Sequence, residues 1–370
     1  LDGPRGRIYL IKQVVEGSEP TRATQVRLDR CLTCRNCETT CPSGVRYGEL
    51  VEIGRRIVDA KVQRPLGERI VRSALRSGLT SPLFGPAAQL GQALRPLVPA
   101  ALRDKLPPPA AAPRRRPQPP REHARKMLVP AGCVQPSLMP NIDAATIRVL
   151  DACGIQAVSA TGGGCCGAIR AHLDDHAGGL ADMRRNIDAW LPLLEAGTVE
   201  AIVVNASGCS LMVKEYGHAL AHDPAYADKA RRISDATRDL SELLPMLRPL
   251  LAPLLQEGND TVPRRVVFHP PCTLQHGQRV RGVVETELAE LGFEVTLAAG
   301  ESHLCCGSAG TYSLLQPELS KQLRNRKLGQ LQLGKPQAII SANIGCIQQL
   351  QSGTTTPVRH WIELLDEALP

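Results

Sequence analysis

Aromatic residues are scarce in this sequence and make up 3% of its 370 residues. Because single-stranded nucleic acids stack on aromatic side chains, this scarcity argues against a nucleic-acid partner. No run of about 18 apolar residues occurs, so no segment is expected to span a membrane. Nucleotide fingerprints, a Ser-His-Asp triad signature and recognisable catalytic carboxylate pairs are also missing, so the chain is not expected to run hydride chemistry alone.

The net charge of +8 is modest, and much of it lies in one stretch from Arg114 to Lys126. A short basic run of this kind is typical of a solvated linker, with weak attraction to anionic lipid or an acidic partner as the alternative. The run lacks the interleaved aromatic residues that nucleic-acid binding would favour. The prediction therefore remains that no nucleic acid binds.

Four of the thirteen cysteines form a closely spaced run that is followed by a proline. The run consists of Cys31, Cys34, Cys37 and Cys41, with the pattern C-x2-C-x2-C-x3-C-P. Bacterial ferredoxins use this spacing to bind iron–sulfur cubanes, whereas a zinc knuckle or a set of buried thiols is the alternative. We therefore predict that these cysteines bind a [4Fe-4S] cofactor and that the chain carries electrons.

The same run predicts a second cluster. In two-cluster ferredoxins the fourth cysteine of each run ligates the other cluster, so Cys41 would reach away from the cubane held by the first three cysteines. The sequence contains one such run and begins at Leu1 without a methionine. We expect an upstream run, and hence two [4Fe-4S] clusters, in the full-length chain. The alternative is one cubane with Cys41 or a distant cysteine as its fourth ligand.

Composition divides the chain into four parts. Residues 1–80 predict a ferredoxin-like [4Fe-4S] domain, in which 48–76 has helical periodicity. The apolar positions on one side of that segment are Leu50, Ile53, Ile57 and Val58. Residues 81–121, rich in alanine and proline, predict a semi-rigid linker. The rest divides into 122–257 and 258–370.

These last two parts are copies of one another. The first contains Cys133, Cys165, Cys166 and Cys209, and the second contains Cys272, Cys305, Cys306 and Cys346. Matched cysteines are 137 to 140 residues apart, and each copy ends in a similar predicted helix, beginning at Asp239 or His360. Several matched positions at nearly constant separation indicate an internal duplication.

Each copy alternates predicted strands and helices. The predicted strands are 126–130, 155–160 and 201–205, then 265–269, 293–298 and 338–342. Asn141 is expected to cap a helix that Gly154 ends, and a long helix is predicted over 179–196. The fold class is therefore a multidomain α+β and α/β protein, with a mainly helical ferredoxin-like domain followed by two duplicated α/β domains.

Each cysteine cluster follows a predicted strand, and ligand sites gather at the carboxyl edge of such sheets. We expect four thiols to meet in each copy and to bind an iron–sulfur cluster or zinc, which soft ligands favour. Residues 162–164 lack phosphate-loop spacing and are expected to let the backbone pass close to the site.

Three histidines and one further cysteine are not expected to bind metal. His269, His276 and His303 are expected to lie around the ligands or at the surface, with replacement of a thiolate as the alternative. Cys153 falls on the apolar face of a helix and is interpreted as a small buried hydrophobe. Because the cysteines form metal-type clusters and no signal peptide is visible, a reducing cytoplasm is predicted.

The duplicated pattern resembles the cysteine-rich CCG domain. That domain occurs in heterodisulfide reductase, in anaerobic glycerol-3-phosphate dehydrogenase, in lactate-utilisation proteins and in glycolate oxidase iron–sulfur subunits. The segments GPRGRIYLIKQ at 3–13 and LDRCLTCRNCETTCPSGV at 28–45 closely resemble the glycolate oxidase iron–sulfur subunit family. The resemblance covers nearly the whole chain and is weakest in the proline-rich linker.

This resemblance implies an electron-transfer subunit that is not itself catalytic. Its partners would be an FAD-binding subunit that oxidises glycolate to glyoxylate, a second flavoprotein-like subunit, and a quinone or other membrane acceptor. The complex would be cytoplasmic and peripheral at the inner face of the bacterial inner membrane. The family pattern has two ferredoxin runs, whereas this sequence contains one.

Three different functions stay open from the sequence. The first is a thiol-disulfide reductase, although the CCG motifs of heterodisulfide reductase have a fifth cysteine where this chain has Met212 and Gln349. These replacements count against that function but do not exclude it. The second is a zinc-stabilised scaffold, and the third is the iron–sulfur subunit of a related lactate or glycerol-3-phosphate dehydrogenase.

Overall fold

The computed structural model describes residues 2–94, 121–256 and 262–370. In these ranges a helical N-terminal part precedes two four-stranded parallel sheets with their helices, which confirms the predicted order of helical and α/β parts. Most of the predicted linker and basic stretch, and the predicted boundary at 257, lie outside the described residues. None of the helices in the described ranges is long and apolar enough to cross a bilayer.

The N-terminal part contains six helices. They are α1 (Pro4–Val15), α2 (Arg22–Asp29), α3 (Asn36–Thr39), α4 (Tyr47–Lys61), α5 (Leu66–Leu79) and α6 (Phe84–Ala93). The periodic segment 48–76 is therefore two helices, because Pro65 precedes α5 and a proline disfavours helical backbone at the residue before it. Helix α6 lies inside the predicted linker.

The predicted apolar side of α4 is confirmed except at Ile53. Tyr47, Val51 and Val58 are buried in a small core with residues of α1 and α2, whereas Ile53 is 40% exposed. Gly54 lies on the same buried side because a side chain there would meet Ile11 of α1. Close packing of two helices, rather than apolar character alone, selects the buried face.

The two sheets share one topology. Their strands are β1 (Arg125–Leu128), β2 (Ile155–Val158), β3 (Ile202–Val204), β4 (Thr237–Asp239), β5 (Arg265–His269), β6 (Glu294–Leu297), β7 (Ala338–Ser341) and β8 (Val358–His360). The orders are β2-β1-β3-β4 and β6-β5-β7-β8, and every pair is parallel. The predicted strands are confirmed to within two residues at each end. Strands β4 and β8 were not predicted, because their sequences, TRD and VRH, are too polar to form an apolar run.

The helices of the first copy are α7 (Gln135–Leu138), α8 (Pro140–Ala152), α9 (Ala168–His172), α10 (His176–Glu195), α11 (Ser207–Lys214), α12 (Tyr216–Ala219), α13 (Ala227–Ala236) and α14 (Leu244–Gln256). Those of the second are α15 (Val283–Glu290), α16 (Tyr312–Leu315), α17 (Pro317–Leu331), α18 (Ile344–Gln351) and α19 (Trp361–Ala368).

Helix α8 starts at Pro140, so the prediction that Asn141 caps it is wrong. Proline suits the first helical turn, where its missing N–H has no partner to lose. Gly154, with a φ of +72°, follows the end of α8 as predicted.

The similar tails of the two copies are strand ends followed by capping boxes. The Asp239 carboxylate accepts from the Ser241 N–H at 2.9 Å, while Glu242 accepts from the Asp239 N–H at 2.6 Å. In the second copy, His360 Nδ1 accepts from the Ile362 N–H at 3.1 Å, and Glu363 takes the matching role. Capping satisfies N–H groups that helix ends leave unpaired, so each tail begins a helix at a defined point.

The two copies exchange their terminal helices. Helix α19 of the second copy packs on α8 of the first, and α14 of the first packs on α15 of the second. Residues of both copies therefore form one hydrophobic core, which includes Ile142, Leu247, Leu288 and Leu365. Because each copy completes the other, neither is expected to fold alone.

The shared core predicts coupled unfolding. Leu365 is fully buried, so Leu365→Ala should lower the free energy of unfolding by about 2–5 kcal/mol. Hydrogen exchange should also accelerate in α8, which belongs to the other copy. Leu333→Ala is the matched control because Leu333 is 63% exposed and its truncation should change stability by less than about 0.5 kcal/mol. Unchanged protection of α8 in the Leu365 variant would contradict a shared core.

Candidate metal sites at the sheet edges

The first copy brings four predicted thiols together, and we call them the first thiol site: Cys133, Cys165, Cys166 and Cys209. Cys133 follows β1, the paired cysteines follow β2, and Cys209 lies in the first turn of α11 after β3. Direct thiol contacts join Cys133 to Cys165, Cys165 to Cys166, and Cys166 to Cys209. The side chains meet because parallel strands end at one edge.

The first thiol site favours one thiolate. Hydrogen bonding from Cys133 and then from Cys166 lowers the pKa of Cys165 to about 3, assisted by the Gly167 and Ile169 N–H groups. The same contact, followed by burial, raises the pKa of Cys133. Since thiolates are the form that binds metal, Cys165 is prepared as a ligand and its neighbours would lose protons as metal binds.

A buried amide holds the backbone of the paired cysteines. Asn186 Nδ2 donates to the Cys165 carbonyl and to the Tyr216 hydroxyl, both at 2.9 Å, and its Oδ1 accepts from the Gly164 N–H at 2.8 Å. Tyr216 in turn donates to the Cys166 carbonyl at 3.0 Å. These contacts fix two adjacent ligands to α10 and α12. Sequence reasoning missed Asn186, although a polar residue within an apolar helix stripe is a recognisable signal.

The backbone conformation after each cysteine pair requires a glycine. Gly167 and Gly307 have φ values of +92° and +87°, a region that disfavours other residues. A Cβ atom would lie 2.8 Å from the Gly179 carbonyl in the first copy and 2.5 Å from the Ser320 carbonyl in the second. The chain must therefore turn sharply against the next helix immediately after the two ligands.

The second copy assembles an equivalent group, which we call the second thiol site: Cys272, Cys305, Cys306 and Cys346. All four are buried, and thiol contacts link them in that order. Contact with Cys305, and then burial, raises the pKa of Cys272 well above its usual value. A set of crowded, dehydrated thiols is more readily deprotonated when a cation is bound among them.

His269 lies beside the second thiol site at the end of β5. Its ring is fully buried, and neither ring nitrogen has a hydrogen-bond partner among the described residues. A ring nitrogen and the sulfurs of Cys306 and Cys346 all lie within 4.8 Å of one another. Burial, and then the nearby Lys327, lower the pKa of His269 well below its usual value, so the ring is neutral.

The other two histidines are placed differently. His276 is buried, and its ring nitrogens contact Thr39 Oγ1 at 3.0 Å and the His303 carbonyl at 3.1 Å. His303 contributes that carbonyl rather than its ring to the contact. Both residues therefore belong to the surroundings of the site, whereas the ring of His269 lies among the thiols. Cys153 is buried in the shared core, as predicted.

A buried lysine distinguishes the second site from the first. Lys327 Nζ donates to the carbonyls of Glu301 at 2.8 Å and Ser302 at 3.0 Å. The carbonyls of Gly179 and Ser320 each face the CCG glycine of their own copy, so these two residues are equivalent. The same number of residues further along the chain lie Asn186 in the first copy and Lys327 in the second, so these two residues also correspond. Burial lowers the pKa of Lys327, whereas the four thiols of the second site act to raise it. This lysine was not predicted from the sequence.

Three of the four N-terminal cysteines affect one another's pKa values, whereas Cys41 stands apart. Burial raises the pKa of Cys34 to about 12, with Cys272 of the second thiol site as the next cause and Cys31 as a further one. Burial also raises the pKa of Cys37 to about 11, followed by the effects of Cys34 and Cys31. Cys41 is placed otherwise, because N–H groups of Val45, Ser43 and Gly44 lower its pKa and no thiol contributes.

Several contacts place the first three N-terminal cysteines next to the second thiol site. Tyr47 donates to Cys31 Sγ at 3.6 Å. Burial raises the pKa of Tyr312, and Cys305 and Cys31 both act in the same direction. The contact of Thr39 with His276 joins the same two regions. Two groups of soft ligands therefore lie close together across the boundary between the N-terminal part and the second copy.

An ion-pair cluster fixes the N-terminal part to the first copy. Arg72 contacts Asp174 at 2.9 Å and Asp29 at 3.2 Å, while Arg64 contacts Asp59 at 2.6 Å and Asp174 at 3.0 Å. Burial, and then a hydrogen bond shared with Asp174, raise the pKa of Asp59 to about 7. The Asp59 carboxyl therefore keeps its proton to a higher pH in the folded chain than an exposed carboxyl does.

The donor sets fit metal binding. Each thiol site offers four cysteines, and the second also offers an imidazole whose buried nitrogens otherwise lack partners among the described residues. Thiolate and imidazole ligands suit iron–sulfur clusters or zinc rather than magnesium or calcium, which prefer oxygen.

Comparison with known proteins agrees with the duplication. A family model described as "CCG: Cysteine-rich domain" matches residues 128–214 and 266–351, and these ranges contain both thiol sites. The glycolate oxidase iron-sulfur subunit of Escherichia coli (strain K12) is 54% identical over 370 residues, covering 100% of this chain and 88% of that protein. The resemblance expected from the N-terminal motifs is confirmed.

More distant relatives extend the comparison. The probable glycolate oxidase iron-sulfur subunit of Bacillus subtilis (strain 168) is 28% identical over 390 residues, covering 95% of this chain and 83% of that protein. Lactate utilization protein A of Bacillus licheniformis is 25% identical over 222 residues, covering 59% of this chain and 87% of that protein. The similarity to the lactate utilization protein is thus partial.

The CCG glycine provides a stability prediction. Gly307→Ala should lower the free energy of unfolding by about 1–3 kcal/mol, because its positive φ and the Ser320 carbonyl both oppose a side chain. Gly329→Ala is the matched control, since a Cβ atom at that helical position meets nothing within 4 Å. Urea denaturation measures both variants. Equal stability of the two would contradict the proposed constraint.

The Asp59 carboxyl predicts a pH dependence. Its pKa is about 7 in the folded chain and about 3.9 in an unfolded one, so between these values the folded chain binds the additional proton. The free energy of unfolding should therefore fall as the pH rises through this window. Asp59→Asn should remove this component of the slope in urea denaturation across the window.

Asp228→Asn is the control for the pH experiment because the Asp228 side chain is 84% exposed. It should keep the slope of the unmodified chain. If the Asp59 variant also keeps that slope, the Asp59 carboxyl is not the group that binds the additional proton.

Proposed function

Because the chain belongs to the glycolate oxidase iron–sulfur subunit family, we propose that it is the electron-transfer subunit of a flavin-dependent glycolate dehydrogenase. In this role it receives electrons from an FAD-bearing subunit and passes them to a quinone or another membrane acceptor. The observation that carries the proposal is the contact of Thr39 Oγ1 with His276 Nδ1 at 3.0 Å, which holds the N-terminal cysteine loop against the second thiol site. The subunit itself has no catalytic role in glycolate oxidation.

The cofactor assignment follows the grouping of the thiols. Cys31, Cys34 and Cys37 would hold one [4Fe-4S] cluster, and Cys41, which lies apart, would serve a second cluster in the full-length chain. When bound, these clusters supply one-electron carriers. The two thiol sites would hold a further iron–sulfur cluster or zinc.

The residues around Cys31 would adjust the electrostatics of its cluster. The Thr33 N–H donates to Cys31 Sγ at 3.4 Å, and the Tyr47 hydroxyl donates to it at 3.6 Å. Thr33 and Arg35 have positive φ values of 50° and 58°, which turn the loop tightly around the sulfur. Hydrogen bonds to a ligand sulfur stabilise its negative charge and so favour the reduced state.

The proposed partners are an FAD-binding glycolate oxidase subunit and a second flavoprotein-like subunit, without nucleic acid. The complex is proposed to lie in the cytoplasm, peripheral at the inner face of the bacterial inner membrane. In this proposal a ferredoxin-like domain spans residues 1–80, and two CCG domains span residues 122–257 and 258–370. The shared core supports treating those two CCG domains as one rigid body.

Lactate is the second candidate substrate, because the partial relatives include lactate utilization proteins. The substrate would bind to the partner subunit, so the choice between the two acids depends on that subunit. Assay of the assembled complex with each acid separates them.

The electron-transfer role predicts the effect of Cys34→Ser in the assembled complex. Glycolate should still reduce the flavin, whereas quinone reduction should fall by at least about tenfold, an order-of-magnitude expectation for loss of a cluster ligand. Stopped-flow absorbance of the flavin and a quinone assay measure the two steps.

Cys153→Ser is the matched control, since Cys153 is buried in the shared core and burial alone raises its pKa, with no contribution from another thiol. It should keep quinone reduction in the fraction that folds. Loss of flavin reduction in a correctly assembled Cys34 variant, or unchanged quinone reduction, would contradict the relay role.

A further inference from the structure

The imidazole of His269 has an unexplained environment. The ring is fully buried, and both of its nitrogens lack hydrogen-bond partners among the described residues. Leaving one buried polar group unsatisfied is costly, so two on one ring form a substantial penalty. Native proteins almost always satisfy such groups, and a ring with none is expected to have a ligand that is a metal, a water or a partner.

The neighbours of the ring are sulfur ligands rather than hydrogen-bond acceptors. A nitrogen of His269 and the sulfurs of Cys306 and Cys346 all lie within 4.8 Å of one another. Two thiolates on one zinc ion can be at most about 4.6 Å apart, which is twice the zinc–sulfur bond length. A small inward movement would therefore let one metal atom contact all three side chains.

The first copy lacks this imidazole. Strands β1 and β5 begin their parallel ladders at Arg125 and Arg265, so Val129 matches His269. Val129 is buried but provides no ligand atom. The position that carries a fifth cysteine in related CCG motifs does not supply another ligand to the second site, because Gln349 Nε2 donates to Ser320 Oγ at 2.7 Å.

We infer that His269 is a metal ligand of the second thiol site, together with Cys306 and Cys346, whereas the first thiol site binds through cysteines alone. The metal class is one that accepts thiolate and imidazole together, namely the iron of an iron–sulfur cluster or zinc. This inference rests on the proposed function only in requiring that the second site hold a metal. It makes the two copies chemically different.

His276 provides a matched comparison. It lies near the same site, but its ring nitrogens already contact Thr39 and the His303 carbonyl. It is therefore not free to act as a ligand in this arrangement. His269→Val reproduces the residue of the first copy, and His269→Gln offers a polar replacement if the valine variant fails to fold.

The experiment uses the full chain, purified anaerobically from cells supplied with histidine labelled with 15N in the ring. Iron, sulfide and zinc are measured for the unmodified chain, His269→Val, His269→Gln and His276→Gln. Pulsed EPR detects 15N hyperfine coupling if the metal is paramagnetic, and 15N NMR detects coordinated histidine if the metal is zinc. These readouts do not depend on glycolate turnover.

A histidine nitrogen bound to metal is expected in the unmodified chain and in His276→Gln. That signal should be lost, and the metal content lowered or the cluster signal shifted, when His269 is replaced. Metal in the second site without bound histidine nitrogen would overturn the inference while leaving the electron-transfer role intact. Absence of metal from the second site would overturn the inference and also remove that site from the proposed relay.

Discussion

Parallel strand pairing is the constraint on which both thiol sites depend. In each sheet three neighbouring strands run in one direction, so the segments that follow them emerge at a single edge. Cysteines that are distant in sequence, such as Cys133 and Cys209, are thereby joined in one chain of thiol contacts. An antiparallel arrangement of the same strands would send alternate cysteines to opposite edges and leave no four-thiol site.

The exchange of terminal helices fixes the position of one sheet, and of the thiol site at its edge, relative to the other. Helix α19 covers α8, and α14 covers α15, so the duplicated halves share one core rather than packing as independent domains. The N-terminal helices then attach to both halves, through Arg72 and Asp174 on one side and through Thr39 and His276 on the other. The proposed relay would need carriers at constant separation, and this shared packing holds the candidate ligands in place.

Duplication has produced similar geometry with different chemistry. Both CCG glycines turn the backbone against the following helix, and both sites use a buried polar residue to hold the loop before it. In the first copy that residue is the neutral Asn186, whereas in the second it is Lys327, which adds a positive charge near the thiols. A cation beside thiols favours their deprotonated form, so Lys327 and the thiols of the second site stabilise one another's charge.

The sequence by itself determined the strand positions, the duplication and the cysteine groups, because these depend on local periodicity and on spacing along the chain. It did not reveal β4 and β8, which lack an apolar run and are strands because they pair with β3 and β7. The exposure of Ile53 on α4 and the role of Lys327 were likewise hidden, since each depends on neighbours distant in sequence. Only the tertiary structure placed the N-terminal cysteine loop against the second thiol site and the ring of His269 among the thiols, because burial and electrostatic environment arise when separate elements pack together.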